Sequence, residues 1–516
     1  MGPNGARPSG RLASVVVGAA AALSRLLGFA RDVGLAVLFG AGPVGDALLI
    51  ALRLPNLVRR VLGEGGLHTA FVPMLVGHQS RHGEQAARQF AGQVVMCFVI
   101  LFGLLAVLVQ ILAVPLVLVL GAPSQTADLA SQALVLAFPM VAGSGLAALA
   151  SAILATRHRF ALAAWSGVLV NIVLVLALVW LKDHPIAPDI SAMWLAGLSG
   201  AAGLVQGAVL LLVVQTSSWS PIWTRPRWTP DLTRFLVLCV PGMLIAASGQ
   251  LAFLILVSQA GQQSGLVSQL YFADRVAQLP FGFIAAVLAI VVLPAISRHA
   301  LAANRTAFAQ GMDRALVWSL VLALPASAGL VMLADPISHV LFEHGAFDHA
   351  ARHATAGALA GFALALPALA IGRVSAHGFF AHGRIKEPLL ATCAGLASVL
   401  VICLLHQQAD ARSFALSLSA GAGIEMLVGL GFLLVRLGWR PGRALMRDLL
   451  FCLIATVAML AGLELLSDSL ARMMPDQPGF GLEIMALMVK CLSGVAIYSL
   501  CALAFGLFGP VRKAQN

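Results

Sequence analysis

The sequence predicts an all-α polytopic membrane protein of about fourteen transmembrane helices, arranged as two parallel six-helix lobes plus two C-terminal helices. Three observations predict it. Of 516 residues, 60% are hydrophobic and only 10% charged, whereas soluble domains carry about 45–50% apolar and about 25% charged residues. Mean hydropathy is +0.94, and the apolar residues come in runs near the ~20 that cross a bilayer as a helix. The two halves of the chain also repeat the same signals in the same order. An ordinary cytoplasmic enzyme is thereby excluded.

Residues 1–13 form a cytoplasmic tail. Arg7 and Arg11 precede an apolar stretch, as in a signal peptide, but that stretch carries Arg25, Arg31 and Asp32 and lacks an A-x-A-like cleavage site, so it reads as the first retained span. The N-lobe, 14–216, holds spans near 14–38, 46–75, 91–120, 130–154, 162–181 and 192–214. A Trp/Pro/Arg-rich cytoplasmic link occupies 217–233. The C-lobe, 234–436, holds spans near 234–258, 268–297, 315–341, 356–381, 388–406 and 413–435. Two additional spans, near 447–467 and 483–509, and a short tail complete residues 437–516.

Charge orients this arrangement. The net +11 would suggest nucleic acid in a soluble protein, but no basic block is interleaved with aromatics, and no nucleic-acid partner is expected. With fourteen spans, 20 basic residues fall on the side of the termini, four on the other side and eight in or at the edges of spans. The positive-inside rule then puts both termini of a multi-pass membrane protein in the cytoplasm. The seven cysteines are scattered singly, without a CxxC pair or histidines at ligand spacing, and read as small buried hydrophobes, with no cofactor or metal site expected.

The repeat is a series of weak matches in order. Phe71-Val72-Pro73-Met74-Leu75 after span two is echoed by Val292-Leu293-Pro294-Ala295-Ile296 after span eight. Phe138-Pro139 in span four is echoed by Leu366-Pro367 in span ten. A six-span unit is even, so both copies face the same way, and transporters built from repeats commonly bind substrate where the repeats meet.

Ionisable groups inside spans are expensive and are functional candidates by default. Here they cluster: Ser24-Arg25 and Arg31-Asp32 in span one, Asp46, Arg53, Arg59, Arg60 and Glu64 in span two, Asp274-Arg275 in span eight. At about 100° per residue, Asp46, Arg53, Arg60 and Glu64 share one stripe within roughly 40°, although Pro55 and Gly63-Glu64-Gly65-Gly66 would bend or end the helix. Structural ion pairs such as Arg60 with Glu64 or Arg31 with Asp32 account for some of these groups. The remaining excess of guanidinium suits a multivalent anion, which the planar fork grips bidentately. Glu425 in span twelve is a candidate ion-coupling group, and Arg373 and His377 in span ten are candidates to line the second lobe. The Gly143-Ser144-Gly145 and Gly421-Ala422-Gly423 runs read as helix-packing surfaces.

The stretches Ser24-Arg25-Leu26-Leu27-Gly28-Phe29-Ala30-Arg31-Asp32, Phe39-Gly40-Ala41-Gly42, Asp46-Ala47, Leu54-Pro55-Asn56-Leu57-Val58-Arg59-Arg60, Glu64-Gly65 and Ala70-Phe71-Val72-Pro73 resemble the N-terminal signature of the MurJ (MviN) family of lipid II flippases. Arg159-Phe160 with Asn171, Tyr271-Phe272-Ala273-Asp274-Arg275 and Ile385-Lys386-Glu387-Pro388 extend the resemblance. It implies the fold of the multidrug/oligosaccharidyl-lipid/polysaccharide exporters, with two six-helix lobes around a central cavity. It further implies a transporter, not an enzyme, that moves undecaprenyl-pyrophosphate-linked peptidoglycan precursor outward by alternating access. By the same resemblance Ser24, Arg25, Arg31, Arg59 and Arg275 bind substrate, while Asp32, Asp46, Arg53, Arg60, Glu64 and Asp274 serve gating or a charge network. Partners so implied are lipid II, the bilayer and, as candidates, cell-wall synthesis or division proteins. The driving force is left open between membrane potential and a monovalent cation. The competing readings are a flippase for another polyprenyl-linked glycan, a drug antiporter of the same fold, for which an arginine-lined cavity has the wrong sign, and a membrane-embedded polyprenyl-phosphate transferase, for which the outer loops are too short.

Overall fold

The computed structural model describes residues 9–61, 67–157, 160–217, 219–224, 228–288, 305–406, 410–475 and 479–507. Seventeen helices and no strand occur among the described residues. Among the described residues ten candidate spans are long and apolar enough to cross a membrane: Phe71–Val119, Ala127–Thr156, Leu162–Asp183, Pro188–Gln215, Arg305–Met332, His349–Phe380, Lys386–Leu405, Ala411–Arg436, Arg443–Met473 and Phe480–Ala504. The chain is therefore an all-α, multi-spanning membrane protein. The sequence segments not among the ten are spans one, two, seven and eight. Three of these hold the clustered charges, and the seventh contributes the shorter apolar stretch Ala247–Ala260.

Two compact units divide the chain, Met1–Ser268 and Gln269–Asn516. The first contains α1 (Ser9–Phe39), α2 (Pro43–Arg60), α3 (Leu67–Val119), α4 (Ala127–Ala137), α5 (Pro139–Thr156), α6 (Phe160–Asp183), α7 (Pro188–Gln215) and α8 (Pro230–Ala260). Helix α9 (Leu266–Val287) begins at the division. In the second unit follow α10 (Arg305–Met332), α11 (Ala334–Phe342), α12 (His349–Ala363), α13 (Ala365–Phe380), α14 (Lys386–Leu405), α15 (Ala411–Arg436), α16 (Arg443–Met473) and α17 (Phe480–Ala504).

Local chemistry sets the boundaries. Helix α1 ends at Gly40, whose φ of 63° is the left-handed conformation that glycine adopts without penalty, and its N–H closes on Ala36 O. Pro55 lies inside α2 without ending it, and the helix runs on to Arg60. The segment 67–75, expected in span two, belongs instead to α3. Span four is two helices, because Pro139 has no N–H to continue α4 and starts α5. Span ten is divided likewise at Leu364, with Pro367 in the first turn of α13. The second copy of the repeat signal, 292–296, lies outside the described residues.

Within the first unit α1 packs on α6, and α5 on α7. The latter crossing is set by glycine: a Cβ on Gly143 would come within 1.9 Å of Gly203 O, one on Gly207 within 2.4 Å of Gly143 O. In the second unit Gly421 lies against α14, where a Cβ would come within 2.3 Å of a Val399 methyl. The α16–α17 pair packs through α16 on α10, where Asp313 accepts from Trp439 Nε1 (3.0 Å) and from the N–H of Gly442 (3.1 Å), the residue preceding α16. Cys403 and Cys452 are buried as expected, Cys97 and Cys501 half-buried, whereas Cys393 and Cys491 are exposed, on a surface that apolar side chains also share. Cys239 lies outside the described side chains.

Candidate functional site

Span one presents its polar residues to α6. Arg31 Nε and Nη2 both donate to Asp32 Oδ1, at 3.1 and 2.7 Å, and its Nη1 reaches Asn171 Oδ1 at 3.4 Å. Asn171 in turn donates through Nδ2 to Ser24 O, Ser24 Oγ and Gly167 O, each at 3.2 Å. Ser24 and Arg31 are thus gathered by one amide from the apolar run of α6, and Asp32 joins them through Arg31. Sequence reasoning noticed Asn171 only as a point of resemblance. The signal was the amide itself, alone within the apolar run of span five.

Span two sends its first charges into packing. Asp46, only 2% exposed, accepts from Gly265 N–H (2.6 Å), Ser268 N–H (2.8 Å) and Ser268 Oγ (2.6 Å). It therefore caps the first turn of α9 in place of a local N-cap residue, with a negative charge at the positive end of a helix. Arg53, 6% exposed, lays its guanidinium over the Phe253 ring of α8 at 3.8 Å, a desolvated cation–π contact. Asp46 and Arg53 do share a buried face, as the stripe predicts. Arg59 is exposed, with Nη2 3.4 Å from Asn56 Oδ1, and Arg60 is half-buried. Arg25 is exposed. Glu64 lies outside the described residues, and with it the Arg60–Glu64 pair.

In the second unit Arg275 sits 4.6 Å over the Tyr271 ring and donates through Nη2 to its hydroxyl at 3.0 Å, so the preceding turn fixes its direction. Asp274 accepts from Gln278. Glu425 accepts from Thr392 Oγ1 (2.8 Å), and Gly395 leaves it room: a Cβ there would come within 2.9 Å of Glu425 Cβ. Arg373 lies over the Phe281 ring at 4.8 Å. Among the described residues no group of three or more His, Cys, Asp or Glu is arranged to hold a metal ion.

The two units differ in what they offer. The first provides a guanidinium neutralised on one edge by Asp32 and steadied on another by an amide. Two further arginines stand at the surface. An anion with two acceptor oxygens can compete with Asp32 for Arg31, because it offers negative charge to the same donors. In the second unit the ring and the hydroxyl of Tyr271 both hold Arg275, an arrangement that aims the guanidinium.

Known proteins resemble this chain over most of its length. The family model described as "Lipid II flippase MurJ" matches residues 35–474. The "Probable lipid II flippase MurJ" of Rhizobium meliloti is 32% identical over 506 residues, covering 96% of this chain and 93% of that protein. The "Lipid II flippase MurJ" of Burkholderia cenocepacia is 28% identical over 71% of this chain and 72% of its own length. Among solved structures, a lipid II flippase MurJ in an inward closed conformation superposes with a TM-score of 0.77 at 22% identity, covering 95% of this chain and 99% of that one. A multidrug-resistance MATE transporter in an inward-facing conformation superposes at 0.68, with 15% identity over 82% of this chain and 96% of its own. At those identities the two structures speak for the fold.

Proposed function

The chain belongs to the lipid II flippase MurJ family, and we infer from that membership and the arginine chemistry above how it handles its substrate. It is a transporter, not an enzyme. It moves the lipid-linked peptidoglycan precursor across the bacterial inner membrane, with lipid II as substrate and the bilayer as medium. The observation that carries this is the family match over 35–474.

In our reading the pyrophosphate of the headgroup is drawn by Arg25, Arg31 and Arg59, with Ser24 as a neutral donor, while Arg275 of the second unit contributes a guanidinium of its own to headgroup transfer. Asp32, Arg60 and Glu64 of the first unit, and separately Asp274 of the second, are the charged groups we assign to gating. Asp46 and Arg53 brace the first unit instead of touching substrate, a reading supported by their burial against Ser268 and Phe253. The finer architecture we propose is fourteen spans, two six-span lobes over 14–216 and 234–436 joined by the link 217–233, and two extra helices beyond 437. Both termini lie in the cytoplasm, a reading supported by the charge asymmetry of the loops. Transport proceeds by alternating access. Moving net positive charge through part of the field couples the cycle to membrane potential, at about 2.3 kcal/mol per elementary charge per 100 mV. Glu425 is the candidate site for a coupled cation.

The test is complementation: deplete the resident lipid II flippase of a bacterium, express this chain, and assay externalised lipid II with Arg25→Ala at equal membrane abundance as control. Rescue by the wild type and its loss in the variant are expected. A well-inserted wild-type chain that externalises another polyprenyl-linked glycan but no lipid II would overturn the substrate assignment.

A further inference from the structure

We propose that Asn171 is a positioning residue that fixes Arg31 and Ser24 for the pyrophosphate, a role that rests on the reading of those two residues given above. Ser24 and Arg31 are seven residues apart on α1, two turns along one face, about 10 Å at 1.5 Å per residue. Side chains on a helix lean toward its N-terminus, so the long Arg31 side chain can fold back along this face toward Ser24. Asn171 stands opposite the gap. Its amide donates to both oxygens of Ser24 (3.2 Å each) and accepts from Arg31 Nη1 (3.4 Å).

Only a side chain with a donor and an acceptor on one planar group can do both. The approach depends on Gly28, midway between the two: a Cβ there would sit 3.8 Å from both Nδ2 and Oδ1 of Asn171, so an alanine is accommodated and anything longer meets the amide. A third acceptor, Gly167 O one turn earlier on α6, fixes the amide plane (3.2 Å). The guanidinium is thus bounded by Asp32 on Nε and Nη2 and by Asn171 on Nη1. Asp32 carries charge and competes with phosphate. Asn171 carries none, so it holds the direction of the fork without reducing its attraction for an anion.

The experiment uses the purified full-length chain in detergent with inorganic pyrophosphate as probe, read by calorimetry in wild type, Arg31→Ala, Asn171→Leu and Asn171→Asp. Asn171→Leu is expected to weaken binding about tenfold, the loss for one misdirected hydrogen bond to a charged group. Asn171→Asp, which keeps the shape but adds a carboxylate beside the fork, is expected to bind more weakly than Asn171→Leu at pH 8. That ranking is expected to persist down to pH 5, because the Arg31 guanidinium holds the new carboxyl ionised. A packing role alone would lower thermal stability without ranking Asn171→Asp below Asn171→Leu. Wild-type affinity in both Asn171 variants, with binding lost in Arg31→Ala, overturns the positioning role alone. Unchanged binding in Arg31→Ala overturns the site assignment, and the proposal with it.

Discussion

Asp46 offers the sharpest separation of a structural from a transporting charge. Its carboxylate is 2% exposed and accepts three hydrogen bonds of 2.6–2.8 Å from Gly265 and Ser268. In Asp46→Asn one oxygen still serves Ser268, but the amide that replaces Oδ2 points N–H against the N–H of Gly265. One buried donor is then unsatisfied, at about 1–3 kcal/mol. Asp46→Ala strands both backbone N–H groups and removes the cap from α9, and the cost rises to roughly 3–5 kcal/mol by analogy with breaking a buried charge pair. Differences of this size shift a folded-to-unfolded ratio by at least several-fold. The assay is thermal unfolding of the purified chain followed by its own tryptophans, alongside membrane abundance and externalised lipid II per molecule. Expected are a lowered transition in the order wild type, Asn, Ala, reduced abundance in the same order, and near-normal flipping per surviving molecule of Asp46→Asn. A variant that melts like wild type yet does not flip would refute the brace and return Asp46 to gating.

Three further outcomes follow from the geometry. Gly143→Val forces a branched side chain into the α5–α7 crossing, where even a Cβ meets Gly203 O at 1.9 Å; the overpacking should cost at least about 1–3 kcal/mol, read as lost abundance, while Gly423→Ala, with nothing within 4 Å of its Cβ, should be neutral. Arg53→Lys keeps the charge but loses the flat stack on Phe253 and should destabilise by about 0.5–2 kcal/mol, with Phe253→Leu producing the same shift and no additional loss in the double variant. On α11, outside the membrane-spanning segments, burial alone would lower the His339 imidazole, but Glu343 and Glu483 bound to its two nitrogens outweigh that and raise its pKa. A raised pKa contributes stability fully below the ordinary 6.5 and loses it as pH climbs through the raised value. Glu343 resists burial through His339 and Arg352 and is held below 4.5, so its contribution is present above that value and lost on acidification. Melting temperature against pH should therefore fall above neutrality in wild type and flatten there in His339→Gln; an unchanged slope would refute the pairing.

Much of this was legible because lipid imposes few solutions. Runs of apolar residues bounded by turns gave the ten long helices, but Pro139 and Pro367 read in the sequence only as matching repeat signals within single spans, and a proline alone does not fix a break, since Pro55 lies inside α2. Charges inside spans pointed to the residues that matter but not to their roles. Asp46 and Arg53 looked no different from Arg25 and Arg59 until their partners were in view, and those partners, Ser268 and Phe253, lie about 200 residues away. Periodicity gives the face of a helix but not what stands opposite. For the same reason Asn171 is a point of resemblance in the sequence and becomes the group that gathers Ser24 and Arg31 only in the fold.

The aspartate on α10 that holds the approach to α16 has a consequence in time. Asp313 is synthesised 126 residues before Trp439 and 129 before Gly442. At about 5–20 residues per second of translation, that carboxylate waits roughly 6–25 s for the donors that satisfy it. The final helix pair is therefore a late addition to a second unit already threaded into the bilayer, and a ribosome that stalls within that interval leaves a product whose α10 still lacks its partners.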